Sequence, residues 1–213
     1  MVFNDSLAFA RARGRLVAAV LMITTLMPAV ADATLDPADA FRASSAFGLV
    51  ELYLQLLVTS AVLGAHGLVP ARYDPRRPTL GRYPAAFGLG LIYFVAVLAG
   101  LALLVIPGLL LIARWSVSLP ALVSEDVGIT EALRRSWRLT ARHWPVPALV
   151  YAIVTLTHLP TVAIAYLLYP PFGPVPLPTA ILVNLLMSLC LVAMWLAIAV
   201  IYVRLRAKEA EAA

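Results

Sequence analysis

One stretch of this sequence constrains the fold more than any other: residues 85–123 run apolar for thirty-nine positions with Arg114 as the only charged side chain. As a single helix the run would reach about 60 Å, twice the roughly 30 Å hydrocarbon core of a bilayer. Its interior holds Ile106-Pro107-Gly108. Proline lacks a backbone donor and glycine permits a left-handed turn, so the tripeptide makes a hairpin corner with Pro107 and Gly108 at its tip. The run then divides into a span over 85–105 and a shorter return arm over 109–123. An arm of that length is tolerated where the corner lies within protein or interfacial residues flank the arm.

Four further stretches are long and apolar enough to cross: 16–33, 46–69, 146–169 and 179–203, the second of them carrying Glu51, Gln55 and His66. Composition agrees. Of 213 residues, 62% are hydrophobic and 13% charged, against about 45–50% and 25% in soluble domains, too few charges to cover a soluble surface. The expected fold class is all-α integral membrane: one polytopic domain of six transmembrane helices, with no separate soluble domain.

Sixteen Lys and Arg against eleven Asp and Glu give a net charge of +5. In a soluble chain that excess would suggest nucleic acid; here its placement is what informs, and no nucleic-acid partner is expected. With the N-terminus inside, fourteen of the sixteen fall in cytoplasmic segments: Arg11, Arg13 and Arg15; Arg72, Arg76, Arg77 and Arg82; Arg134, Arg135, Arg138 and Arg142; Arg204, Arg206 and Lys208. The outer segments keep Arg42 beside Asp32, Asp36 and Asp39. If residues 85–123 crossed once, the four arginines of 134–142 would lie outside. The positive-inside rule thus selects the hairpin, and with it six spans and both termini on the cytoplasmic side of a bacterial inner membrane.

A competing reading makes the first span a cleaved signal peptide, from its arginine-rich start, apolar run and Ala29-Val30-Ala31 before Asp32-Ala33. The apolar run exceeds a usual h-region and the fifteen-residue start is long; cleavage would remove one crossing and leave the others oriented as before. The single cysteine, Cys190, lies in the last apolar run. It permits no intrachain disulfide and no Cys-based metal site, and reads as a small packing residue.

Between the spans, residues 125–144 are the most patterned. Ile129, Leu133, Ser136, Trp137, Thr140 and Trp144 recur at three- and four-residue steps on one helical face, with Arg134, Arg135, Arg138 and Arg142 opposite or flanking it. A basic helix with aromatic anchors suits the headgroup layer, Trp at the interface and Arg near anionic phosphates; the alternative is a solvated connector whose arginines only set orientation. Residues 72–84 hold Pro75, Pro78, Gly81 and Pro84, which makes them a basic inner loop. The proline-rich segment 169–178 reads as a stiff, extended cap, and the tail 208–213 as frayed.

The block Ile106-Pro107-Gly108, Arg114, Pro120, Glu125 and the run Glu131-Ala132-Leu133-Arg134-Arg135-Ser136-Trp137-Arg138-Leu139-Thr140 resembles the signature of a membrane-domain family associated with glycerophosphoryl diester phosphodiesterases. Its members are fused to some of those enzymes and, more often, stand alone as bacterial membrane proteins. The similarity spans residues 106–140. It implies a six-helix inner-membrane protein with an Ile-Pro-Gly hairpin and a cytoplasmic amphipathic segment. It does not import phosphodiesterase activity, because that chemistry belongs to a separate barrel domain for which six spans leave no room.

Ionisable groups at membrane depth are expensive and are functional candidates by default. Counting helical rise from the outer side puts Glu51 and Arg114 roughly 8–9 Å below the boundary, Asn184 at a similar depth, and Gln55 one turn from Glu51. A buried polar cluster of Glu51, Gln55, Arg114 and Asn184 is expected, either an ion pair that fixes packing or a site for a polar headgroup or ion. His158, between Thr157 and Pro160, is expected to bond backbone freed by the proline; His66 is expected at the interface. No metal-ligand spacing, cofactor motif, Gly-x-Ser-x-Gly, His-Glu-x-x-His or Walker A pattern occurs. The leading expectation is a non-enzymatic inner-membrane protein, a lipid-interacting or structural envelope component that contacts anionic headgroups, with homo-oligomerisation left open. The alternative is a small transporter or transporter subunit using a Glu51–Arg114 layer.

Overall fold

The computed structural model describes residues 2–70, 81–168 and 175–212, and among them every regular element is a helix. In chain order these are α1 (Val2–Ala12), α2 (Gly14–Thr34), α3 (Pro37–Ala65), α4 (Tyr83–Leu103), α5 (Val105–Trp115), α6 (Ser118–Ser124), α7 (Ile129–Leu139), α8 (Pro145–Leu168) and α9 (Leu177–Glu211). Six segments are long and apolar enough to cross a membrane: Gly14–Thr34, Ala38–Ala65, Tyr83–Leu103, Ile106–Ser124, Pro145–Ala165 and Leu177–Glu211. Most of the expected loop 72–84 and of the expected cap 169–178 lies outside the described residues.

The bundle is organised around α9, which packs on α1, α2, α3 and α8. One core cluster joins α2, α3 and α9 through Val20, Val58, Val62, Trp195 and Ala199. A second, around Leu56, Leu63, Leu122, Leu133 and Tyr202, ties α3 and α9 to α6 and α7. The outer faces stay apolar: Leu98, Leu103, Leu156 and Leu167 are exposed, and only 6% of the Pro145–Ala165 window is buried. Such a surface is stable facing lipid, where apolar exposure carries no penalty.

The expected boundaries shift for local reasons. α3 begins at Pro37, not 46, because proline suits the first helical turn and Asp39 pairs with Arg42 at 2.7 Å one turn on. It stops at Ala65, short of 69. Gly67 takes φ +68°, the Leu68 N–H donates to the Leu63 carbonyl at 2.9 Å, and the Gly67 N–H donates to Gly64 at 3.1 Å, the double bond of a Schellman cap. A Cβ added at Gly67 meets nothing within 4 Å, so Gly67→Ala tests the backbone alone. It is expected to destabilise by about 1–2 kcal/mol in thermal unfolding of the micellar protein, and an unchanged midpoint would show the cap carries no strain.

The long apolar run divides at Leu104, two residues before the expected corner. Leu104 is extended (φ −159°, ψ 139°), and its N–H still donates to the Gly100 carbonyl at 3.0 Å. Pro107 and Gly108 therefore sit in the first turn of α5, where a proline's missing donor would have had no helical partner anyway. Gly108 serves close approach rather than a turn: a Cβ built on Gly100 would lie 3.0 Å from the Gly108 Cα. The return arm is not one helix either. Pro120 cannot accept the turn running back to Ser116, and the chain breaks there into α5 and α6, with Ser118 to Val123 of α6 wholly buried.

The C-terminal segment is more ordered than expected, and the N-terminal one forms a helix of its own. The polar start forms α1, which buries Phe9 in the core and pairs Asp5 with Arg204 of α9. The tail expected to fray stays helical to Glu211, because α7 holds its charged end, as described below.

Candidate functional site

At mid-bundle a cavity of about 230 Å³ opens between four helices. Thr24 and Pro28 of α2, Phe47 and Glu51 of α3, His158 of α8, and Asn184, Met187, Ser188 and Leu191 of α9 line it. Glu51 is fourteen residues from each end of α3, and Thr24 ten from each end of α2, so the cavity lies near the middle of these helices. The expected placement of Glu51 close to the outer boundary is corrected, because α3 begins at Pro37 rather than 46. Among the described residues Glu51 has no hydrogen-bond or ion-pair partner.

The other polar groups are held by their own helices. Thr24 Oγ1 donates to the Val20 carbonyl at 3.0 Å. The Asn184 amide nitrogen donates at 2.9 Å to Asp32 Oδ2 at the end of α2, and again at 2.9 Å to the Ala180 carbonyl. His158 Nδ1 donates to the Val154 carbonyl at 2.8 Å, one turn back. That corrects the expected bond to backbone released by Pro160, since the proline frees the carbonyl four residues before itself, at Leu156. Thr157 Oγ1 likewise bonds Val154, at 2.8 Å, and Cys190 Sγ approaches Thr157 Oγ1 at 3.5 Å. Gln55 is half-buried and does not line the cavity.

Arg114 is elsewhere, which corrects its placement with Glu51. α5 packs on α4, α7 and α8 rather than against Glu51's face of α3, and because α5 begins at Val105 its tenth residue falls at the helix's far end. There the guanidinium stacks over the Trp137 ring of α7, 4.3 Å from the ring centroid. A desolvated cation on tryptophan gains about 2 kcal/mol, and the negative end of the α5 dipole adds to it. The backbone is held too: Ser136 Oγ donates to the Arg114 carbonyl at 2.8 Å, and Thr140 Oγ1 lies 3.0 Å from the same oxygen while 2.8 Å from the Ser136 carbonyl.

α7 is amphipathic, and its arginines divide into two kinds. Ala132, Leu133, Ser136 and Leu139 are buried. Arg134 and Arg138 are exposed and share Glu131, each at 3.0 Å, pairs of the kind that contribute little. Arg142 and Trp144 are exposed but lie in the turn beyond α7, which corrects their expected place on the helix, since α7 ends at Leu139; Trp137 and Trp144 are 38% and 45% exposed. Arg135 points inward, which corrects its place among the surface cations. Its Nε lies 2.9 Å from both Glu125 oxygens and its terminal nitrogens grip both oxygens of Glu209.

Those charges form a clasp across α6, α7 and α9. Tyr202 donates its hydroxyl to Glu125 at 2.9 Å, and Arg206 reaches Glu209 at 3.0 Å. Glu209 lies beyond Val203, where the apolar part of α9 ends. The bond from Arg135 holds its carboxyl below the usual range, so it stays ionised at neutral pH, and the bond to Glu209 raises Arg135 in turn. A second ion pair, Arg82 with Asp126, and a bond from Arg82 to the Val127 carbonyl at 3.2 Å anchor the start of α4 to the α6–α7 turn. His66 sits at the end of α3, exposed. Among the described residues no group of three His, Cys, Asp or Glu could hold a metal ion.

Sequence reasoning missed Thr24, His158 and Ser188 as neighbours of Glu51. Counting from the expected start of the second span put Glu51 too near the outer boundary to meet His158, and which helices adjoin is not written in any one segment. Comparison with protein-family models, with curated proteins and with solved structures finds no match.

Proposed function

We propose that this protein is a non-enzymatic, polytopic inner-membrane protein that engages anionic lipid headgroups through the outer face of α7, a lipid-interacting component of the envelope. The observation that carries the reading is the split of α7 and the turn after it: one face of α7 is buried against the bundle, while Arg134, Trp137 and Arg138 of α7 and Arg142 and Trp144 of the following turn are exposed. Cations flanked by interfacial tryptophan are the chemistry of a phosphate-rich surface. The distribution of arginines supports a cytoplasmic position for α7 and for both termini, with α4 and α5–α6 as an out-and-back pair. The burial of Val20, Thr24 and Ala29 supports α2 as a resident span rather than a cleaved leader. Membership of the phosphodiesterase-associated membrane-domain family rests on the block 106–140 and fits the same picture.

The test is native mass spectrometry of protein extracted from phosphatidylglycerol-containing membranes. The native protein is expected to retain phosphatidylglycerol, and the variant carrying Arg134→Gln, Arg138→Gln and Arg142→Gln to lose most of it. Equal retention by the two would overturn the reading. Arg135 is left intact, because its replacement would disturb the clasp rather than the surface.

The transport alternative loses its Glu51–Arg114 layer but keeps a specific observation in its favour, the unpartnered Glu51 in a mid-bundle cavity. Binding sites at the membrane midplane are common among transporters.

A further inference from the structure

We propose that the mid-bundle cavity is a binding site for a small protonated primary amine, an alkylammonium ion whose charged head sits between Glu51, Asn184 and His158. The polar atoms left over in the cavity are what select the ligand. Glu51 is the only formally charged residue in the lining and has no partner among the described residues. Both amide hydrogens of Asn184 are committed, to Asp32 and to the Ala180 carbonyl, which leaves its oxygen. His158 has committed Nδ1 to Val154, which leaves Nε2 as an acceptor in the neutral ring. Thr24 has committed its hydroxyl hydrogen to Val20.

Beyond the Ser188 hydroxyl, which can donate or accept, the site offers acceptors and one negative charge, and needs a donor of positive charge. An ammonium head brings three donors and no acceptor. An anion would meet the Glu51 carboxylate with no cation in the lining to pair it. A metal ion would find one carboxylate and one imidazole, short of the three protein ligands of a zinc site or the six oxygens of calcium.

Size and the remaining walls set the rest of the ligand. At about 230 Å³ the cavity is smaller than the 300–1,000 Å³ typical of drug-sized ligands, so it suits a head and a few carbons. Phe47, Pro28, Met187 and Leu191 supply apolar walls for that chain, and Phe47 an aromatic face for the cation. The bound charge also answers the cost of the site itself, since a carboxylate at this depth is expensive unless neutralised.

The experiment is isothermal titration of the full chain in lipid nanodiscs with ethylammonium chloride, against sodium and potassium chloride at equal ionic strength. Saturable binding of ethylammonium alone is expected. Glu51→Gln, a neutral isostere, should weaken it roughly tenfold to a hundredfold, and Met187→Trp, which fills the cavity without touching a charge, should abolish it. No saturable signal, equal binding of sodium or potassium, or unchanged affinity in both variants would overturn the proposal. If Glu51→Gln does not fold, Met187→Trp decides alone.

Discussion

Arg135→Met is expected to lower the stability of the bundle by about 3 kcal/mol. The methionine keeps the length of the buried stem and removes the charge. Glu125, whose side chain is 17% exposed, would keep only the Tyr202 hydroxyl and a distant Arg206 at 3.6 Å. A carboxylate left in that position loses two charge-assisted bonds while still paying its desolvation. The Glu209 arm matters less, because its side chain is 42% exposed and pairs of that kind contribute a fraction of a kcal/mol. The sign of a second change separates the causes: adding Glu125→Gln to Arg135→Met should recover much of the loss, since it removes the stranded charge. Chemical unfolding in micelles reads both, and a double variant no more stable than the single would show that packing, not charge, was lost.

Gly108→Ala is expected to cost about 1–3 kcal/mol by forcing α4 and α5 apart. The added methyl would meet the Leu101 side chain at 2.5 Å and its backbone nitrogen at 2.8 Å. A side chain can turn away from such a contact; a helix backbone cannot, so the helices must separate and the Gly100 contact opens with them. Gly90 of α4 is the control, because a Cβ there meets nothing within 4 Å; Gly90→Ala should be neutral or slightly stabilising through its better helix propensity. Thermal unfolding that ranked the two variants together would remove the close approach as an explanation.

The contrast between these two positions shows where sequence reasoning reaches and where it stops. That the run 85–123 must break was legible, because length against bilayer thickness leaves no alternative. That it breaks at Leu104 was not, because a proline is comfortable in a helix's first turn and the chain can turn just before it. The second break, at Ser116, had a signal in Pro120 four residues on. Arg135 and Arg138 are three residues apart in one basic run, yet one is buried in a clasp and the other faces outward. A helical wheel shows that they differ in angle, but not that Glu209, seventy-four residues away, waits on one side of the wheel.

The amino-acid sequence determined the helical, membrane-like class of this protein and the six segments long and apolar enough to cross a bilayer, because apolar length is a one-dimensional requirement that each segment meets or fails by itself. It did not determine depth, because helical rise is fixed per residue but the helix starts moved: α3 begins at Pro37 and α5 at Val105. Only the tertiary structure decided neighbours. Glu51 shares its cavity with His158 and Asn184 while Arg114 stacks on Trp137, because lateral helix packing is set by the fit of many weak contacts across several segments at once.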